Sequence, residues 1–167
     1  GLGEALKENE SLETLSLSDN DIGAEGAEAI FEALEGNDSL EILSLYNNEI
    51  GNEGAKDIFE ALEGNNSLRA LFLDGNNIDA KGAKALAKAL KGNESLEILD
   101  LQRNEIGAEG AKALVEGLKG NTSLESLSLW NNKIGTDGEK AIAKSLAENY
   151  NLQLDELDGV DLHQHLD

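Results

Sequence analysis

A repeat of 28 residues is the feature that most constrains what this chain can fold into. Ten positions of the first copy return 28 residues later in the second: Leu12, Leu15, Leu17, Asn20, Ile22, Gly23, Gly26, Leu34, Asn37 and Ser39 become Leu40, Leu43, Leu45, Asn48, Ile50, Gly51, Gly54, Leu62, Asn65 and Ser67. Further copies begin at Leu68, Leu96 and Leu124. Because so short a unit cannot bury its own apolar face, neighbouring units must stack into one continuous core.

Each unit contains two elements with different periodicities. Leu15 and Leu17 alternate with polar residues, which predicts a half-buried strand. Apolar residues at helical spacing follow, with glutamates on the opposite face. Glycines then stand where a left-handed residue often ends a helix, at Gly36, Gly64, Gly92 and Gly120. The unit is therefore predicted to be strand, turn, helix and turn.

The pattern LxxLxLxxNxI, followed by GxxGA and a helix, resembles the leucine-rich repeat of the ribonuclease-inhibitor-like subtype, which also occurs in NOD-like receptor sensor domains and the Ran GTPase-activating protein. The resemblance implies an α/β fold, a right-handed horseshoe solenoid with parallel strands on the concave face and helices on the convex face. It also implies that the chain acts by binding other proteins. In that family the repeated asparagine hydrogen-bonds turn backbone along the arc, a role expected here for Asn20, Asn48, Asn76, Asn104 and Asn132.

The repeat register divides the chain into three parts. Residues 1–11 match the end of a preceding repeat, residues 12–149 form five repeats, and residues 150–167 are predicted to be a C-terminal cap. The register fails after Asn149, because Asp155 stands where a core leucine is expected. A cap is needed to cover the last apolar layer of a solenoid. With only one or two helical turns in residues 1–11, we expect the first layer to be incompletely covered. Two explanations stay open: further repeats preceded Gly1, or this end rests against another chain.

The formal net charge of -21 bears on the choice of partner. Such a field repels nucleic-acid phosphates and would attract basic protein surfaces. The alternative is that the charge serves only to keep the repeat protein in solution. There are no cysteines, which removes disulfides and thiolate metal sites, and neither a membrane-spanning apolar run nor a secretory leader is seen. The expectation is a cytoplasmic, protein-binding chain that is not an enzyme, has no cofactor, and binds neither nucleic acid nor membranes.

Several local motifs are weak signals of chemistry. Asp19, Asp21 and Gly23 lack the remaining ligands of a calcium loop, and the pair His163 and His165 lacks a third zinc ligand. No catalytic triad or phosphate-binding glycine loop is present. Five triplets fit the N-glycosylation pattern, but their period of 28 favours a role in turns: Asn9, Asn37, Asn65, Asn93 and Asn121 begin them.

Charged residues on adjacent helices fall into rows across the repeats. One row holds Glu53, Lys81 and Glu109; a second holds Glu60, Lys88 and Glu116; a third holds Glu63, Lys91 and Lys119. Opposite charges lie side by side in these rows, so weak ion pairs between helices are predicted. We interpret this face as a solvated surface that is not a binding patch.

The outward strand residues on the predicted concave face contrast with the acidic remainder of the chain. Only two of the fifteen are charged, and three of the six aromatic residues of the chain lie among them: Thr14, Ser16, Ser18, Ile42, Ser44, Tyr46, Ala70, Phe72, Asp74, Ile98, Asp100, Gln102, Ser126, Ser128 and Trp130. Depletion of charge with aromatic enrichment is typical of an interface core. The alternative is drift of unconstrained surface positions. The predicted partner-binding residues are Tyr46, Phe72, Asp74, Asp100, Gln102, Arg103 and Trp130.

The predicted sheet is small for an interface. Five strands cover roughly 400 Å² in projection, whereas a standard interface takes roughly 800 Å² per partner. Either the loops with Asp19, Asn47, Arg103 and Asn131 would have to join the contact, or the natural array is longer. Two other functions stay open: a regulator of an enzyme, such as a GTPase activator or an enzyme inhibitor, and an engineered or consensus-derived scaffold, which the lack of proline, cysteine and methionine favours.

Overall fold

The computed structural model describes residues 1–148 and the backbone of residues 156–158. Strands and helices alternate along the chain: α1 Leu2–Glu8, β1 Thr14–Ser16, α2 Gly23–Gly36, β2 Ile42–Ser44, α3 Gly51–Gly64, β3 Ala70–Phe72, α4 Ala80–Gly92, β4 Ile98–Asp100, α5 Gly107–Gly117, β5 Ser126–Ser128, α6 Gly135–Glu148 and β6 Glu156–Asp158. The predicted order of strand, turn, helix and turn is confirmed in each repeat.

The strands form one parallel sheet in chain order from β1 to β6. Pairing joins residues 28 apart through β5, so Leu15, Leu43 and Leu71 lie side by side. At the end of the sheet Leu127 pairs with Leu157, a spacing of two more residues. The extra two residues explain why Asp155 falls at the expected leucine position. Residues 149–155 and 159–167 lie outside the described part, so the cap and the domain boundaries stay predictions.

The core lies between the sheet and the helices. Inward leucines of the inner strands are fully buried, as are the apolar helix positions, for example Leu43, Leu71, Ile58 and Leu86. Glutamates on the outer helix face are exposed, as the periodicity predicts. The solenoid therefore has strands on its concave face and helices on its convex face.

A ladder of buried asparagines holds the turns that leave the strands. Asn76 is 0 % exposed, and its Oδ1 accepts hydrogen bonds from the backbone N–H groups of Asn48 (3.0 Å) and Ile50 (3.3 Å) in the preceding unit. Its Nδ2 donates to the carbonyl oxygens of Leu45 (2.9 Å) and Leu73 (3.1 Å). Asn48, Asn104 and Asn132 are buried with matching bonds. The ladder role implied by the resemblance is confirmed; Asn20, in the first unit, has the same local bonds but is exposed.

A second ladder occupies the turns that leave the helices. Asn65 is buried, donates to the carbonyl of Leu34 (3.0 Å), and accepts from the N–H groups of Ser67 (3.0 Å) and Leu68 (2.8 Å). Asn37, Asn93 and Asn121 repeat these bonds and are also buried. A glycan on these four nitrogens would break the turns. The turn interpretation of the glycosylation triplets is thus supported at these positions.

The prediction that glycines stop the helices in a left-handed conformation is wrong for three of four positions. Of Gly36, Gly64, Gly92 and Gly120, only Gly120 has a positive φ, at 84°. The other helices end when the next asparagine adopts an extended conformation, at Asn37, Asn65 and Asn93. Left-handed glycines lie instead at helix starts, for example Gly51 with φ 66°. Side-chain bonds of the second ladder hold the chain reversal that the glycines were expected to make.

This correction predicts opposite effects for two glycines of α3. An added Cβ at Gly64 meets nothing within 4 Å, and its φ is not positive. Alanine there should stabilise the protein by about 0.5 kcal/mol, because it restricts the unfolded chain. Alanine at Gly51 should destabilise by about 1 kcal/mol, because its left-handed backbone opposes a Cβ. Urea denaturation of both variants checks the signs; two equal effects would contradict the assignment.

Candidate protein-binding surface

Exposed apolar side chains concentrate on the concave face. Within residues 1–148, five large apolar side chains are exposed: Ile42 (38 %), Tyr46 (39 %), Ile98 (41 %), Trp130 (51 %) and Leu2 (48 %). The first four stand on the concave sheet or at the ends of its strands. Exposed apolar area gathered in one place marks contact surfaces more reliably than isolated apolar residues do.

Three of the strands carry a continuous apolar strip. Ala70 lies between Ile42 and Ile98 in the sheet register. The alanine is only 5 % exposed, so its neighbours close over it. Phe72, two residues further along β3, is half-buried. The strip therefore presents its two isoleucines to solvent, with no charged residue between them.

The two most prominent aromatic residues lie just beyond the strands, where the loops begin. Tyr46 and Trp130 occupy the same register position in the second and fifth units. Their carbonyl oxygens accept backbone hydrogen bonds from Asp19 (3.0 Å) and Arg103 (2.8 Å) of the preceding units. The ladder thus fixes the backbone beneath each ring. Both side chains are held at the surface by a rigid support.

Polar and charged residues between these aromatic rings are hydrogen-bonded to each other. Asp74 accepts two hydrogen bonds from the Arg103 guanidinium, Nε to Oδ1 at 2.8 Å and Nη2 to Oδ2 at 3.1 Å. The hydrogen bond to Asp74, together with its charge, raises the pKa of Arg103 above its usual value. Asp100 accepts from the backbone N–H of Gln102 at 3.0 Å and from its Nε2 at 3.4 Å. Hydrogen bonds therefore hold these polar side chains in place on the surface between Tyr46 and Trp130.

The loops beside the sheet are preorganised by unusual backbone. Asp19, Asn47, Arg103 and Asn131 have left-handed φ angles between 52° and 60°. Asn47 Nδ2 donates to Asp19 Oδ1 at 2.9 Å, and Lys133 Nζ contacts Glu105 Oε2 at 2.6 Å. Left-handed backbone costs non-glycine residues free energy, and the structure around it maintains it here. The loops that were predicted to extend the interface therefore form a defined rim.

The structure gathers the seven predicted partner-binding residues on one surface. Tyr46, Phe72, Asp74, Asp100, Gln102 and Trp130 lie on the sheet or its ends, and Arg103 lies on the rim. Their contact with a partner stays a prediction. Ile42 and Ile98 were not selected from the sequence as site residues. Their outward alternation was visible, but their exposure and the cover of Ala70 were not.

The predicted ion-pair rows across the convex face are not formed. In residues 1–148 the ion pairs on this face join residues three or four apart: Lys56 to Glu60 (3.9 Å) in α3, Lys144 to Glu148 (3.9 Å) in α6, and Lys119, just after α5, to Glu116 (2.7 Å). Adjacent helix axes are about 8–10 Å apart, whereas residues three or four apart on one helix are nearer neighbours. Hydrogen bonds from Lys119 and Ser145 lower the pKa of Glu116. Repeat equivalence places these charges on adjacent helices, but the pairing that was predicted from it is wrong.

The described residues contain neither a cluster of metal ligands nor a membrane-spanning helix. No group of three or more His, Cys, Asp or Glu side chains there could hold a metal ion. No helix among these residues is long and apolar enough to cross a membrane. His163 and His165 lie outside the described residues.

The stacked strands, the asparagine ladders and the apolar concave surface define a leucine-rich-repeat solenoid of the protein-binding class. The family model described as "TMOD/LMOD Leucine-rich domain" matches residues 47–154, and a model described as "Leucine Rich repeat" matches residues 8–31. The first match covers more than half of the chain, so the chain belongs to the TMOD/LMOD leucine-rich domain family.

Solved structures agree with the family assignment. The chain is similar to "Leiomodin-1 Actin-Binding Site 2 (ABS2)", with 26% identity and a TM-score of 0.74, covering 90% of this chain and 88% of that one. It also resembles a tropomodulin C-terminal domain from Caenorhabditis elegans, with 18% identity and a TM-score of 0.72, covering 89% and 90%. This second likeness shows the fold alone. No curated protein sequence matched significantly.

Proposed function

We propose that this domain binds a partner protein through its concave sheet and the adjoining loops, and that it performs no catalysis. The observation that carries the proposal is the placement of exposed large apolar side chains. Four of the five in residues 1–148 lie on this one face of a chain with net charge -21. Tyr46 and Trp130 are the proposed anchors, supported by the strip of Ile42 and Ile98.

The polar residues of the surface suit the centre of an interface. Asp74 and Arg103 already satisfy each other, so a partner can cover them without leaving a lone buried charge. Aromatic anchors surrounded by groups that exclude water typically carry most of the binding energy. The acidic surroundings favour a partner with a basic surface, and the affinity should fall as salt is raised.

Actin is the first partner to test. The leiomodin-1 domain similar to this chain is named as an actin-binding site. At 26% identity the likeness supports actin as a candidate, and the concave surface supplies a place for it. An actin partner would place the domain in the cytoplasm.

Alanine at either Tyr46 or Trp130 should weaken actin binding by about tenfold or more, equivalent to about 1.4 kcal/mol. Both side chains are exposed, so the folded state should lose little stability. Titration of labelled actin monomers with each variant measures the affinity, and thermal unfolding checks the fold. Lys88→Ala, on the exposed convex face of α4, is the control.

Each outcome of this titration has a separate meaning. Loss of affinity in the two aromatic variants, with Lys88→Ala unchanged, supports the concave surface. Equal affinity in all four proteins would place the actin contact elsewhere. Absence of binding by the unaltered domain would exclude actin and leave the surface to be tested with another protein.

A further inference from the structure

A second apolar surface lies at the end of the solenoid that begins with α1. A groove of about 770 Å³ is lined by α1, by the loop after β1 and by α2. Its apolar lining includes Leu2, Leu17, Ile22, Ala29 and Ile30. Leu2 is 48 % exposed and is the one large exposed apolar residue of the described chain that stands away from the concave face.

The groove is open because α1 covers only part of the first unit. Gly3 approaches the backbone of Ala29 and Lys7 lies beside Gly36, so α1 packs against α2 from its middle to its C-terminal end. Leu17 and Ile22 are only half-buried. Their counterparts one repeat later, Leu45 and Ile50, are 0 % and 1 % exposed, since the preceding strand and loop lie over them. The uncovered part of the first unit is therefore the part that a strand and its following loop cover in the later units.

Strand β1 lies beside this groove, and its outer edge offers a backbone carbonyl to which an added strand could donate a hydrogen bond. In each inner unit a strand carbonyl accepts from the preceding unit: Ser44 from the N–H of Leu17 (2.9 Å), Phe72 from Leu45 (2.9 Å) and Asp100 from Leu73 (2.8 Å). The equivalent carbonyl of β1 belongs to Ser16, and β1 is the edge strand. An added extended segment would therefore find both a backbone partner and apolar contacts at this edge.

The charge around the groove indicates what kind of segment could bind there. Residues 1–55 contain a single base, Lys7, which lines the groove together with Glu4 and Glu32. Four more exposed acids belong to β1's flanks and to α2: Glu13, Asp21, Glu25 and Glu28. A second copy of this chain would bring the same acids against each other and be repelled. A segment that carries lysine or arginine beside its apolar residues would be attracted.

We propose that an extended segment of a partner protein, with alternating apolar residues and flanking basic ones, adds a parallel strand to β1 and fills this groove. Its apolar side chains lie over Leu17 and Ile22 as those of each unit lie over the next. Its basic residues face the acids of α1 and α2. This surface is separate from the concave face and does not depend on the function proposed there.

The probe is a fluorescein-labelled peptide with the sequence of residues 40–51, in which Glu41→Lys and Glu49→Lys supply the basic flanks. The same stretch covers the next unit inside the fold, through β2 and its loop. Fluorescence anisotropy with the whole chain should give a saturable isotherm. Amide chemical shifts of the labelled protein should change at β1, Leu17 and Ile22.

A matched pair of variants tests whether the acids at the groove are recognised. Glu25→Lys with Glu32→Lys should weaken peptide binding by about tenfold or more, because Glu32 lines the groove and Glu25 stands on the same helix. Glu53→Lys with Glu60→Lys makes the same change in net charge at the same positions one repeat later. That second variant should change binding by less than about twofold, and so should Trp130→Ala.

Four results would overturn the proposal. They are no saturable binding, equal binding of the unmodified acidic peptide, equal loss in both charge variants, and shift changes confined to the concave face. Sedimentation of the chain alone provides a further test, since self-association that Leu2→Glu abolishes would show that a second copy occupies the groove. Failure of the actin titration would leave all these outcomes unchanged.

Discussion

Replacing Asn76 with alanine is expected to lower the free energy of unfolding by about 3 kcal/mol. The side chain is fully buried and bonds the backbone of two units. Its loss leaves the N–H groups of Asn48 and Ile50 without their acceptor. The carbonyl oxygens of Leu45 and Leu73 each lose one donor but keep another, the Nδ2 of Asn48 and of Asn104 respectively. Each unsatisfied buried group costs about 1–3 kcal/mol, and partial relaxation or entry of water reduces the sum.

Urea denaturation followed by circular dichroism measures this loss, because the midpoint should fall while the slope stays unchanged. Asn66→Ala is the control: Asn66 is the same residue type, lies in the turn between α3 and β3, and is exposed. It should change stability by less than about 0.5 kcal/mol. If the two variants had equal free energies of unfolding, the ladder would contribute little to the stability of the fold.

The ladder also shows why so much of this fold could be predicted. Asn48, Asn76 and Asn104 recur because every inner unit presents the same two donors and the same carbonyls at the same place. Because the same backbone groups need partners in every unit, the same residue recurs at the same position of each repeat. Asn20 has the same sequence context as these residues, yet it is exposed because no unit lies over it. The sequence of one repeat does not show whether another unit lies over it.

The wrong predictions share a different cause. Rows such as Glu53, Lys81 and Glu109 follow from repeat spacing, but ion pairing depends on side-chain rotamers and on the distance between helices. Long side chains pair more readily along one helix than across to the next, as Lys56 and Glu60 do. The supposed glycine stops failed similarly, because asparagine side chains already hold those turns.

The candidate binding surface was only partly visible in the sequence. Alternation placed Tyr46 and Trp130 outward, and their contrast with the acidic chain marked them. The pairing of Asp74 with Arg103 spans 29 residues and joins different register positions, so no repeat rule predicts it. Likewise, only the structure shows that Ala70 is covered by its neighbours and that Ile42 and Ile98 form one strip. Both features depend on contacts between units with different residues.

Gly117 also departs from the repeat. We expect Gly117→Ala to destabilise the protein by about 2 kcal/mol. The equivalent positions hold alanine, at Ala33, Ala61 and Ala89, all nearly fully buried. An added Cβ at Gly117 would lie 2.5 Å from the carbonyl oxygen of Ala87 and 2.7 Å from its Cα. Helix α5 therefore packs closer to α4 than alanine allows, and either helix must shift to admit the methyl group.

Gly92→Ala separates this packing effect from helix propensity. Gly92 is also the last residue of a helix, its φ is not positive, and an added Cβ meets nothing within 4 Å. Alanine is favoured over glycine by up to about 1 kcal/mol in a helix, so Gly92→Ala should be neutral or stabilising. Urea denaturation should thus give opposite signs for the two variants. A stabilising Gly117→Ala would mean that α5 can move away from Ala87 without cost, and that the close contact is not required by the fold.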